Sequence, residues 1–191
     1  MTNRGKAISV LTVNTLAFTL CFAVWMMNGV LVTFLVDSGS YDFDQIEMAW
    51  LIAVPVLTGS LFRLPAGILT DRYGGRPVFA ILMLLTAAGA YFNSYADGFW
   101  DFFLGGLSFG LAGSTFAVGI AFSAVWFPKK QQGTALGIFG VGNAGAAITA
   151  MGAPWLLGVL TEGGEKLENW RMLPRIYAAV LVAMTVIFWL M

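Results

Sequence analysis

The 191 residues are 59% hydrophobic and 10% charged, with a mean hydropathy of +0.81 and no net formal charge. Apolar runs this dense exceed what a soluble core needs and mark an all-α integral membrane protein. The charge balance excludes a basic nucleic-acid surface, the absence of histidine excludes histidine-based metal binding or proton relay, and the single cysteine, Cys21, excludes an intrachain disulfide.

The first apolar run, residues 8–36, is longer than the ~7–15 residues of a signal-peptide core and is read as a span that is retained. Runs of about 20 apolar residues bounded by polar clusters then give six spans in all. They lie near residues 9–36, 48–70, 77–96, 99–127, 131–160 and 173–191. Short connections make a closed helical bundle the expected architecture, since helices satisfy their own backbone in lipid. Arg4, Lys6, Arg72, Arg76, Lys129 and Lys130 fall on the N-terminal tail and on the second and fourth loops, with Asp71 among them. The other three loops carry most of the acids, so the positive-inside rule predicts a cytoplasmic N-terminus. Trp50, Trp100, Trp126 and Trp170 sit at predicted span ends, where aromatic belts form, and read as interfacial anchors. The chain stops at Met191 inside an apolar run without a basic flank, so it is expected to be the N-terminal half of a longer protein. Six spans with the N-terminus inside would form one repeat of a two-half transporter, the C-terminal half being missing.

Within the second span, "VLTGSLFRLPAGILTDR" places Arg63 eight residues from Asp71, about 12 Å deep at 1.5 Å per residue. An arginine there costs at least about 2.5–3.5 kcal/mol, so it either snorkels to the surface or faces a polar interior. Side chains lean toward the helix N-terminus, and in a span running inward this aims Arg63 at the membrane centre. Gly59, Ser60, Ala66 and Gly67 surround it with a small face, which favours a buried position. No carboxylate lies at membrane depth in these spans, so its partner is an acid from elsewhere or an anionic substrate. A guanidinium presents a planar fork of donors suited to a small planar oxyanion. Phe116 in the fourth span and Asn143 in the fifth share its slab within about 6 Å. They add an aromatic face and an amide donor, although Phe116 also reads as ordinary bundle packing and Asn143 as an interhelical hydrogen bond.

The fifth span is rich in small residues: Gly133, Gly137, Gly140, Ala144 and Ala147 on one face, Gly142, Ala146 and Ala150 on another, with Gly145 between. Two small faces predict close helix packing on two sides, with sliding as a functional addition. No metal-ligand cluster or nucleophile–base pair appears in the spans, so neither an enzyme nor a cofactor site is expected.

"GILTDRYGGR" resembles the loop motif of the major facilitator superfamily through Gly67, Asp71, Arg72, Gly74 and Arg76, with Gly75 where a basic residue is common. The resemblance implies a role in conformational gating at the cytoplasmic face; locally, Asp71 between Arg72 and Arg76 also reads as a solvated turn. Together with "GLAGSTFAVGIAFSAVWFPKKQQGTALGIFG" and "GVGNAG", the chain is similar to the nitrate/nitrite porter family over nearly its whole length. The resemblance implies alternating-access transport of nitrate or nitrite across a bacterial-type inner (plasma) membrane, with Arg63 binding the anion, Phe116 packing on its plane and Asn143 nearby. It also implies a second arginine in another six-helix half. The alternatives are a major facilitator exchanging another small anion such as a carboxylate, and a six-span packing subunit that transports nothing.

Overall fold

The computed structural model describes residues 3–191, and among these no strand occurs. Six helices are long and apolar enough to cross a membrane: Arg4–Asp37, Gln45–Tyr73, Gly75–Asn93, Phe99–Ala124, Lys129–Leu160 and Leu167–Leu190. They are called spans 1 to 6 below.

Local chemistry sets the span ends. Span 2 begins at a capping box: the Asp44 carboxylate accepts the Glu47 amide at 2.7 Å and the Glu47 carboxylate accepts the Asp44 amide at 3.1 Å. Spans 2 and 3 are separated by Gly74 alone, whose φ of +87° suits a residue without Cβ. Gly75 then starts span 3 with its Cα against Phe122, whose ring a Cβ would overlap. This contact gives a physical reason for glycine where the loop motif usually has a basic residue. At the far end of span 4, Gln132 folds back and donates to the carbonyls of Ala124 and Phe127 at 2.9 and 3.2 Å.

Span 1 packs along span 5 and also meets spans 2, 4 and 6; span 3 lies on spans 4 and 6, and span 2 on span 4. Phe18, Phe79, Phe102, Phe109, Phe139 and Phe188 are fully buried between them. Cys21 is buried among them as core filler. Amides stitch the bundle where the chain itself leaves groups unpaired. Pro55 has no N–H for the carbonyl of Leu51, and Asn28 donates to that carbonyl at 2.7 Å. Asn14 reaches across to Gly119 O at 3.0 Å and Ser123 Oγ at 2.7 Å.

The packing of span 5 corrects the expectation of two packed faces. Gly142 meets Phe18, and Gly145 meets the backbone of Thr19 and Ala23, so these two seat span 5 on span 1. A Cβ at Gly133, Gly137 or Gly140 would meet nothing within 4 Å. One face is packed and the other is open in this chain: spans 1 and 4 both pack on span 5 along this stretch, and neither stands against Gly133, Gly137 or Gly140. Trp50, Trp100 and Trp126 are exposed as anchors would be. Trp170 is 3% exposed and packs on Phe102 and Tyr41 instead, since the short turn Leu167–Arg171 folds it under the loops.

Candidate functional site

Three helix irregularities fall at mid-membrane depth. Span 4 tightens into a 3-10 turn over Gly110–Ser114, span 5 does so over Val141–Asn143, and span 2 loosens at Phe62, just before Arg63. In span 4 the Ser114 and Thr115 hydroxyls each donate to a carbonyl three residues back, Leu111 and Ala112, both at 2.6 Å. Gly59 and Gly113 permit backbone crossing here: a Cβ on Gly113 would lie 3.0 Å from Gly59 Cα and 3.1 Å from the Trp25 ring. The Trp25 indole is held by donation to Pro55 O at 2.9 Å.

This crossing delivers the Gly113 carbonyl to Arg63, whose Nε donates to it at 3.4 Å, a long hydrogen bond. The guanidinium carbon lies 5.7 Å from the centre of the Phe116 ring, near the outer limit of a cation–π contact. Phe116 is half-buried, with its ring centre 5.5 Å from that of Phe18 and 6.1 Å from that of Phe139. Arg63 and Phe116 are therefore brought together. Asn143 is not joined to them: its amide nitrogen donates to Gly140 O on its own span at 2.7 Å, and the side chain is exposed. Its neighbour Gly142 rests on Phe18, which links the two parts through the aromatic cluster.

Burial differs from the expectation for Arg63. Its side chain is exposed on the face of the six-helix bundle, with only Nε tucked against span 4. The small neighbours explain this: Gly59 lies against span 4 and Ala66 is buried, whereas Ser60 is exposed and a Cβ at Gly67 would meet nothing within 4 Å. The two ion pairs among the described residues are Lys166–Glu162 and Arg171–Asp97, and neither involves Arg63. No group of three or more metal-ligating side chains occurs among the described residues.

In the loop motif, Asp71, Arg72 and Gly74 are exposed, Arg76 is half-buried, and Gly67 faces open space. None of its charges is paired within the described residues. Sequence reasoning missed Trp25, which braces the crossing beneath Arg63, and the intramembrane amides Asn14, Asn28 and Asn93. The signal was present: three asparagines inside apolar runs need partners as surely as one arginine does.

A family model described as Major Facilitator Superfamily matches residues 14–191. The chain is 44% identical over 97% of its length to the "Probable nitrate/nitrite antiporter NarK1" of Thermus thermophilus, covering 42% of that protein. It is 34% identical over 75% of its length to the "Nitrite extrusion protein" of Bacillus subtilis, covering 36% of it. To the "Probable nitrate transporter NarT" of Staphylococcus carnosus it is 29% identical over 97% of its length, covering 45%. The chain thus spans less than half the length of these relatives. Among solved structures, a bacterial homologue of the human lysosomal transporter Spinster, in an inward-facing and unoccupied conformation, superposes with a TM-score of 0.70. That match has 20% identity and covers 96% of this chain and 42% of the other, so it speaks to fold alone. The chain is a six-helix, multi-pass membrane unit and belongs to the Major Facilitator Superfamily.

Proposed function

We propose that this chain is the N-terminal half of a nitrate/nitrite transporter, in which Arg63 binds the anion and a second six-helix body closes over it. The observation that carries this reading is the state of Arg63. Its Nε is committed to Gly113 O, while Nη1 and Nη2 have no protein partner among the described residues. An arginine at this depth does not face hydrocarbon without a large cost, so its exposed face belongs to a water-filled cavity or another protein body. A planar oxyanion fits the free edge of the fork with two parallel hydrogen bonds, and Phe116 bounds it on one side. The irregular turns beside it are tolerated at membrane depth only where backbone lines such a cavity or is covered by protein.

In this reading the N-terminus is cytoplasmic, Asn143 lines the cavity further along, and the Asp71, Arg72 and Arg76 loop takes part in gating. The open face of Gly133, Gly137 and Gly140 and the packed Gly142 and Gly145 let span 5 serve both bodies during alternating access. The similarity to proteins named as nitrate and nitrite transporters supports nitrate or nitrite over a carboxylate as substrate.

Proteoliposome uptake of labelled nitrate by this chain together with its second six-helix half tests this. Arg63→Lys keeps the charge and loses the fork, and weakens anion affinity about 10- to 150-fold, the equivalent of about 1.5–3 kcal/mol for a hydrogen bond to a charged group. Unchanged affinity would mean that the chain only packs against a partner that does the binding. Equal competition by formate or oxalate would overturn nitrate as the substrate and leave the carboxylate exchanger.

A further inference from the structure

On another flank, spans 3 and 6 enclose a groove of about 620 Å³, lined by Leu84, Ala88, Tyr91, Arg175, Ala179 and Ala183 among others. Its walls are apolar and stepped with alanines, and one strong charge, Arg175, stands at its mouth. Arg175 occupies the first turn of the Met172–Leu190 helix. Its guanidinium is held in place: Nε donates to Ser94 Oγ at 3.1 Å, and the guanidinium carbon stacks 5.1 Å from the centre of the Tyr95 ring. The Tyr91 and Tyr95 hydroxyls lie beside it, 2.9 Å from each other.

The nearby Arg171 has a different assignment. It is consumed by the Asp97 carboxylate and by the carbonyls of Ser94 and Ala96, and it stacks on Trp170. Arg175 has no carboxylate within salt-bridge distance among the described residues, and its Nη1 and Nη2 make no hydrogen bond there. The result is an oriented guanidinium with a free edge, two phenol hydroxyls next to it, and an apolar slot running from it toward the membrane interior. From Arg175 to Ala183 the slot is about 12 Å long at 1.5 Å per residue.

We infer that this groove is a binding site for one anionic phospholipid of the surrounding bilayer. The phosphodiester takes the free edge of Arg175 in bidentate fashion, and the one tyrosine O–H not donated within the Tyr91–Tyr95 pair serves as a further donor. One acyl chain lies along Ala88, Ala179 and Ala183, each methylene it buries there adding to the affinity. A soluble phosphate would use the headgroup contacts and leave the slot empty, so the apolar walls select the lipid.

The test uses the protein in nanodiscs of mixed phosphatidylglycerol and phosphatidylcholine, followed by mild extraction and native mass spectrometry of retained lipid. Wild type retains phosphatidylglycerol about five-fold over phosphatidylcholine, the effect of one arginine on an anionic headgroup. Arg175→Gln removes the preference, and Ala183→Phe, which fills the slot and leaves Arg175 intact, lowers retention of both lipids. Equal retention of the two lipids by wild type overturns the inference, as does an unchanged preference in Arg175→Gln. Should Arg175→Gln fail to fold, Ala183→Phe decides alone, and undiminished retention overturns the site. Displacement of the lipid by millimolar inorganic phosphate would reassign the site to a free anion.

Discussion

Two glycines eight residues apart in span 5 respond oppositely to the same substitution. In Gly145→Ala the new methyl lands on the Thr19 carbonyl oxygen, well inside the 3.0 Å that real Cβ contacts respect, and 3.0 Å from the Ala23 amide nitrogen. Both neighbours are backbone, so no rotamer change relieves the overlap and spans 1 and 5 must separate. Overpacking costs about 1–3 kcal/mol, and rigid neighbours put this case at the upper end, about 3 kcal/mol. The better helix propensity of alanine returns about 1 kcal/mol, leaving a net loss of about 2 kcal/mol. At roughly 2–4 °C per kcal/mol for a chain of this size, Tm falls by about 4–8 °C. Gly137→Ala meets nothing within 4 Å and therefore gains the propensity without the overlap, about 1 kcal/mol or a rise of about 2–4 °C. Thermal unfolding of the detergent-purified protein, followed by intrinsic tryptophan fluorescence, reads both. A Gly145→Ala variant as stable as wild type would refute the seating of span 5 on span 1, and a destabilised Gly137→Ala would show that the open face is covered.

Asn28→Leu strands the Leu51 carbonyl that Pro55 cannot serve, costing about 1–3 kcal/mol in the same unfolding assay. Adding Pro55→Ala supplies the missing amide hydrogen and restores part of that loss. Gly75→Arg, which returns the motif's usual residue type, destabilises the protein through Phe122; Phe122→Ala in the same chain relieves only the ring's share of the overlap, because the Phe122 Cβ, the nearest atom, remains. Tyr41, in the loop between spans 1 and 2, has its phenol raised above the ordinary 10.0, chiefly by burial and against the opposing pull of Arg171. The raised group favours the protonated folded state, so its contribution is complete below pH 10 and is lost as pH rises through the folded value. Tyr41→Phe accordingly flattens the alkaline limb of a Tm against pH curve and leaves the neutral region unaltered by titration.

How much of this could be read from the chain alone follows the physics of each feature. The spans were legible because the hydrocarbon core demands long apolar helices, and Arg63 was legible because a charge among them is conspicuous. Its pairing with Phe116 followed from depth arithmetic, which orders residues along the membrane normal. Rotation about each helix axis is not given by that arithmetic, which is why Asn143 matched in depth and yet bonds to its own span. The same limit applied to the glycines: composition marked the stripe, while only the placement of span 1 decided that Gly142 and Gly145 pack and Gly137 does not. Trp170 was misread as an anchor because its span begins with a short 3-10 turn that folds inward, a detail set by the loops it meets.

The exposure of Arg63 and the tightness beneath it are one arrangement. Gly59 and Gly113 bring two backbones so close that the Gly113 carbonyl meets Arg63 Nε, and Trp25, tied to Pro55 O, braces the crossing from below. The bond fixes the stem of the guanidinium and turns its two terminal nitrogens outward. A buried carboxylate would hold the arginine more firmly, but it would also occupy the donors that the proposed anion needs. A single neutral carbonyl orients the charge without pairing it. Gly113→Ala tests the coupling directly. By pressing on Gly59 and Trp25 it displaces the carbonyl from Arg63, so under the proposed function anion affinity falls although the arginine itself is untouched. Nitrate affinity unchanged in a folded Gly113→Ala variant would mean that the crossing supports the fold and plays no part in positioning the charge.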